Sequence, residues 1–224
     1  VSQEGNAYAE YGIHCHNILE RWAKGELMSF ELSEAYESEY DQAVKHSFPP
    51  FPRELASKYF EEGLAYFNAF DGFGEQEILS VEDRFEINIQ GNRFVGIADL
   101  ILRDRNTGAI SVIDHKSKSM QSLMKDLHAN KRQLYLYAAH VREKYGIYPT
   151  LLRFNMFRYN KWVDEFFDSQ AYSEMQDWTE QTIHRIRSER DWQVSASGYF
   201  CKFICSVRDH CPIGETIINS RRHK

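Results

Sequence analysis

Two acids and a lysine on neighbouring strand-like segments are the residues of this chain best placed to do chemistry. In the first segment Val95, Ile97, Asp99 and Ile101 recur at every second position, and in the next Ile110, Val112, Asp114 and Lys116 do the same. Side chains alternate along a strand, so each set is expected on one face, with a carboxylate among apolar neighbours. A buried carboxylate is costly unless it takes up a proton, pairs with a base or holds a cation. Two that converge make a hard oxygen site suited to Mg2+ or Mn2+, and a lysine beside it can orient or deprotonate water. The competing account is a structural salt bridge, in which Lys116 neutralises one acid and the other is exposed at a strand end. One lysine does not balance two acids, yet spacing alone leaves both accounts standing.

Other candidates lie outside these segments. His16 and Glu20 are four residues apart, one helical turn, beside an apolar stripe, with small Gly12 and Ala23 leaving room for the imidazole. A lone histidine is ordinarily satisfied in a core or at a surface, and His14 is read that way. Gln133 and Tyr137 are also one turn apart, on a helix whose Leu134, Ala138 and Val141 are expected to be buried. Cys201, Cys205 and Cys211 are closely spaced, and soft thiolates suit iron–sulfur clusters or zinc. Three ligands are one short of four, and the upstream Cys15 falls in an apolar stripe that marks it as packed core.

The elements that must position these residues are legible from periodicity. Residues 6–24 carry Cys15, Ile18, Leu19 and Trp22 as one helical stripe; further helices are expected over 31–46, ending before Pro49, Pro50 and Pro52, and over 53–70. From Ile78 the period becomes two, with Phe85, Ile87 and Ile89 leading to a Gly91-Asn92 turn. Strands follow over 93–102 and 109–116, then a polar stretch, a helix over 130–144, strands over 151–157 and 162–167, and a helix over 171–187. This order predicts an α/β fold: a mixed central sheet made of an antiparallel three-strand meander, a crossover helix and a returning strand, flanked by helices. It is expected as one domain over 1–224, with a helical part (1–74), the sheet and crossover helix (75–168) and a C-terminal helix with a cysteine-bearing tail (169–224).

The whole chain narrows the functional classes. At 224 residues and 42% hydrophobic it buries one sizeable core. Neither an apolar run of membrane-spanning length nor a signal peptide stands out, so a soluble intracellular protein without membrane partners is expected. The chain opens on Val1 rather than Met, which leaves room for an upstream segment. A net charge of -6 argues against a general polycation, although Lys131, Arg132, Arg153 and Arg158 leave room for a local basic groove. The closing Arg221, Arg222, His223 and Lys224 are read as a solvated tail. Four cysteines are too few for a disulfide framework at this size.

Several of these segments converge on one family. Gly96-Ile97-Ala98-Asp99 followed by Val112-Ile113-Asp114-His115-Lys116-Ser117 resembles the G-x-x-D and D-x-K-[ST] motifs of RecB-family PD-(D/E)XK nucleases, the RecB-like and CRISPR-associated-type exonuclease group. Gln133-Leu134-Tyr135-Leu136-Tyr137 is similar to that family's Q-L-x-x-Y motif, and Gly12 through His16 to Leu19-Glu20 to its G-x-x-x-H-x-x-L-E helix. The resemblance covers about residues 12–157 in family order and implies a restriction-endonuclease-like core. It implies that Asp99, Asp114, His16 and the backbone carbonyl of His115 bind Mg2+ or Mn2+, and that Lys116 positions or activates the attacking water. Glu20 would act through a water or a second ion, and Gln133 and Tyr137 would line the site. A subset of the family joins three C-terminal cysteines to one upstream on a [4Fe-4S] cluster, which makes Cys201, Cys205 and Cys211 candidate ligands. That subset has C-x2-C-x5-C, and this chain has one residue more in the first gap. The implied function is a DNA exonuclease of recombination, repair or mobile-element replication, acting on single- or double-stranded DNA with repair proteins as partners. Alternatives are a structure-specific endonuclease of the same fold, a non-catalytic nucleic-acid-binding module, and a metal-binding protein organised by the cysteines.

Overall fold

A computed structural model describes residues 5–193, 197–213 and 216; the basic run Arg221, Arg222, His223 and Lys224 lies outside them. The first helix, α1 (Ala7–Ala23), starts where the Asn6 side chain accepts the Ala9 N–H at 3.0 Å, satisfying one of the free donors of the first turn. Its buried face is Tyr11, Cys15, Ile18 and Leu19, so the expected stripe runs one turn further toward the N-terminus. Helices α2 (Leu32–Ala43) and α3 (Leu55–Asn68) pack beside it around Tyr36, Tyr59, Tyr66 and Phe67. This largely aromatic core is separate from the core under the sheet.

The sheet has five strands in sequential order: β1 (Gln76–Ile89), β2 (Asn92–Asp104), β3 (Ile110–His115), β4 (Leu151–Met156) and β5 (Lys161–Phe166). All neighbours are antiparallel except β3 and β4, which run parallel and therefore need a crossover. Helix α5 (Leu127–Tyr145) supplies it, laying Leu134, Ala138 and Val141 on Ile87, Ile101, Val112 and Leu152. The chain closes with α6 (Ser169–Ser188) and the short α7 (Gly198–Phe203). The mixed α/β sheet flanked by helices is the one the sequence predicts. The polar stretch before α5 is not plain loop, because it holds a short helix, α4 (Met120–Lys125), anchored by buried Leu123.

One expected apolar row is broken. Val95 is 70% exposed and Ile97 39%, while Phe94 and Ala98 pack with Phe85 and Ile87 in the core under α5. Ala98 and Ile101 both enter that core although three residues apart, so the two-residue alternation resets between them. Directly across the ladder, between the pairs Val81–Leu100 and Asp83–Ala98, Glu82 has a φ of 46°, in the left-handed region. That step carries Asp99 onto the side of β3 and α5. The row on β3 is buried throughout, from Ile110 and Val112 to Asp114. Gly96 has a packing reason: a Cβ there would stand 2.5 Å from the Phe85 ring.

Candidate active site

Asp99, Asp114 and Lys116 are brought together where β2 and β3 end their pairing. The Asp99 Oδ2 accepts the backbone N–H of His115 at 2.7 Å, which fixes the carboxylate against β3. Asp114 receives the Tyr137 hydroxyl on Oδ1 at 3.4 Å and has Lys116 Nζ 2.5 Å from Oδ2. That second contact is a charge contact of poor angle rather than an aligned hydrogen bond, so a fully buried carboxylate oxygen keeps lone pairs without a donor. Lys116 also donates to Gln133 Oε1 at 2.9 Å, and the Gln133 amide donates to the Tyr137 hydroxyl at 2.5 Å. Gln133 and Tyr137 thus form a closed relay from α5 to both ends of the Asp114–Lys116 pair. The Lys116 N–H bonds Asn155 O at 2.9 Å, extending the β3–β4 pairing one residue so that the lysine is seated on the sheet.

Electrostatically the acids are in excess. Burial, and then the charge of Asp114, push Asp99 up to about 7, against the lowering effect of His16 and the His115 N–H. His16 reaches in from α1, donating Nε2–H to His115 O at 2.9 Å and turning Nδ1 toward Asp99 Oδ2 at 3.7 Å and Glu82 Oε1 at 4.0 Å. Burial opposes charge on this imidazole, but Glu82, Asp99 and Asp114 outweigh it and raise its pKa. The His115 side chain is the reverse case: burial, His16 and Lys116 hold it well below its usual range, and as neutral imidazole its Nδ1 accepts the Asn155 amide at 2.9 Å.

His16, Glu82 and Asp99 present ligand atoms all within 4.8 Å of one another. A ring nitrogen with two carboxylates, next to the undonated oxygen of Asp114, is a donor set that fits a divalent ion of the Mg2+ or Mn2+ type. The expected metal set and this cluster differ in three ways. Asp114 stands beside the trio with Lys116 on its Oδ2, and the His115 carbonyl already takes the His16 N–H, leaving one lone pair. Glu82 went unnoticed in the sequence because it stands in the polar run Glu82-Asp83-Arg84 ahead of the apolar positions Phe85, Ile87 and Ile89, and only the pairing of β1 with β2 places it opposite Asp99. Glu20 lines the shallow mouth with Gly12, Ile13, Asn17 and Glu82, and is tied to Lys24 at 2.5 Å. His14 is buried and donates to Tyr36 O at 2.9 Å, a structural role as expected.

The floor of the site is held from behind. A Cβ on Gly12 would come within 3.0 Å of Ser117 Oγ, so α1 rides directly on the residue after Lys116. On the other side Arg158 donates to Ser117 O at 3.1 Å, is gripped by Glu62 at 2.6 and 2.8 Å, and lies 3.4 Å over the Tyr59 ring. Arg158 is therefore a buried brace and not part of a basic groove. Nor do its three expected companions form one: Lys131 is paired with Glu165 at 2.5 Å, Arg153 with Asp164 at 2.9 Å, and Arg132 lies over Trp178. Charge counting missed these partners because they come from other elements.

Cys15 is buried in the helical core, as its stripe predicts. Cys201 is buried and Cys205 and Cys211 are partly so, and among the described residues the three do not form a convergent ligand group. Helix α7 is fastened to the start of α1 by Asn6 donating to Ile204 O at 3.2 Å and by a 2.5 Å contact between the Tyr8 and Tyr199 hydroxyls.

The sequence profile of the PD-(D/E)XK nuclease superfamily matches residues 2–212, and the chain belongs to that superfamily. Membership makes it a nuclease type that works with divalent metal on DNA. No curated protein matches the chain. Among solved structures, the crystal structure of SSO0001 aligns over 96% of this chain and 89% of its own at 21% identity, with a TM-score of 0.35. Among the described residues no helix is long and apolar enough to cross a membrane.

Proposed function

We propose that the chain is a RecB-type, divalent-metal-dependent deoxyribonuclease that degrades DNA from its ends, in recombination, repair or mobile-element replication. The observation that carries the reading is the apposition of Asp99 and the undonated Asp114 oxygen to Lys116 and to the His16 ring nitrogen. His16, Glu82, Asp99 and Asp114 would hold the ion. When bound, it supplies Lewis-acid stabilisation of the phosphoryl oxygens and a more acidic water. Lys116, clamped by Asp114 and Gln133, has a further N–H to give to the attacking water or a non-bridging oxygen. Tyr137 and Gln133 keep that ammonium from swinging away, so the water is met in a fixed geometry. A purely binding module is disfavoured because both acids and the lysine are present, with Lys116 against Asp114 and Asp99 held by the backbone N–H of His115 between them.

Digestion of end-labelled linear and of closed circular DNA, single- and double-stranded, with Mg2+, Mn2+ or EDTA, tests the proposal. Shortening of linear DNA from an end is expected, with circles intact. Cutting of closed circles would instead make the enzyme a structure-specific endonuclease. The [4Fe-4S] reading of Cys201, Cys205 and Cys211 is a separate proposal resting on their spacing; iron and sulfide in anaerobically purified protein would support it, and iron-free protein would leave them as reduced structural cysteines.

A further inference from the structure

Lys118 stands two residues beyond the catalytic lysine, in the segment between β3 and α4, and is half-buried. Among the described residues it has no acidic partner, unlike Lys116, Lys131, Arg153 and Arg158. Its ammonium donates to Asn130 Oδ1. Asn130 is itself immobilised, its amide donating to Leu123 O at 3.1 Å and Asp126 O at 2.8 Å, which leaves the oxygen turned to the lysine. Burial and Lys116 oppose the Lys118 charge, while Asp114 and Asp126 favour it from beyond ion-pair distance, so the ammonium lies within electrostatic reach of the centre. A cation partly withdrawn from water and held by a neutral amide, with acids near but none in direct contact, has room for an anion of its own.

We propose that Lys118, oriented by Asn130, is a binding site for a non-scissile phosphate of the DNA strand, next to the phosphodiester held at Asp114 and Lys116. The inference rests on the nuclease reading for the identity of its ligand. A neutral amide as holder suits this role, since a carboxylate there would already have supplied the counter-charge. It also gives an acidic protein a fixed phosphate contact beside its site without a broad basic surface.

The test is anisotropy of a short fluorescein-labelled single strand in EDTA, across a salt series, with wild type, K118Q and K118R. K118Q is expected to bind about tenfold more weakly, and the slope of log K against log salt to fall by about 0.7, the share of one phosphate on a single strand. K118R should keep the wild-type slope, which separates loss of charge from loss of fold. An unchanged affinity and slope in K118Q, or a slope lost equally in K118R, would overturn the site. Because binding is read without metal, metal-dependent cutting with unchanged K118Q binding defeats this site alone. Lysine-dependent binding without any cutting supports the site and defeats the nuclease reading.

Discussion

At the scale of single residues the site is defined by a shortage of positive charge. The Asp99 carboxyl is pushed up to about 7 by burial and by Asp114, against about 3.9 for an ordinary aspartate. Below about pH 4 it is protonated whether the chain is folded or not, and it costs nothing. Between about pH 4 and 7 the unfolded chain gives up that proton and the folded chain keeps it, so stability falls as pH rises. Above that window the penalty is complete, up to about 4 kcal/mol for a shift of this size. Asp99→Asn should therefore melt higher than wild type at pH 8 in EDTA, with the difference closing near pH 4. An equal or lower Tm at pH 8 contradicts the electrostatic account. Mn2+ should raise the wild-type Tm at pH 8 and raise that of Asp99→Asn much less, because binding to the folded state alone shifts unfolding.

At the scale of elements, the site depends on a brace that joins three parts of the fold. Glu62 of α3 holds Arg158 after β4, and Arg158 holds the Ser117 carbonyl next to Lys116. Arg158→Met removes the cation, leaving the Ser117 carbonyl without its donor and Glu62 with only the looser Lys58 contact at 3.8 Å, which is expected to cost about 3 kcal/mol in urea denaturation. Glu62→Gln combined with Arg158→Met should cost less than Arg158→Met alone. A loss below about 1 kcal/mol for Arg158→Met would show that the brace carries no weight. The helices and strands themselves were legible from periodicity, because the α1 stripe and the β3 row are local patterns; the hairpin turn falls one residue earlier than the expected Gly91-Asn92, at Gln90 and Gly91, both at positive φ between the paired Ile89 and Asn92. The reset in β2 at Asp99 was not legible, since Val95, Ile97 and Asp99 continue the alternation in sequence and only the shared packing of Ala98 and Ile101 shows the break. Nor was α4, which has a single buried anchor, Leu123, and too few turns to show a period.

At the scale of the whole molecule, the parallel β3–β4 pair forces a crossover, and the crossover helix brings Gln133 and Tyr137 over the end of β3, onto Lys116 and Asp114. The separate helical core turns His16 in from the other side. The sequence singled out Asp99 and His16 by motif and Asp114 and Lys116 by motif and alternation, but long-range partners decided the rest. Glu82 joins them, and the four expected groove cations are taken up by Glu165, Asp164, Glu62 and Trp178. The central claim, that this convergence is a metal-dependent nuclease centre, is tested most directly by the rate of single-turnover DNA cleavage in Mn2+ by wild type, Asp114→Ala and Lys116→Ala. Wild type should cut in Mn2+ and fall silent in EDTA, and each variant should lose about 100-fold or more. Wild-type rates in either variant, or cutting that survives EDTA, would contradict it.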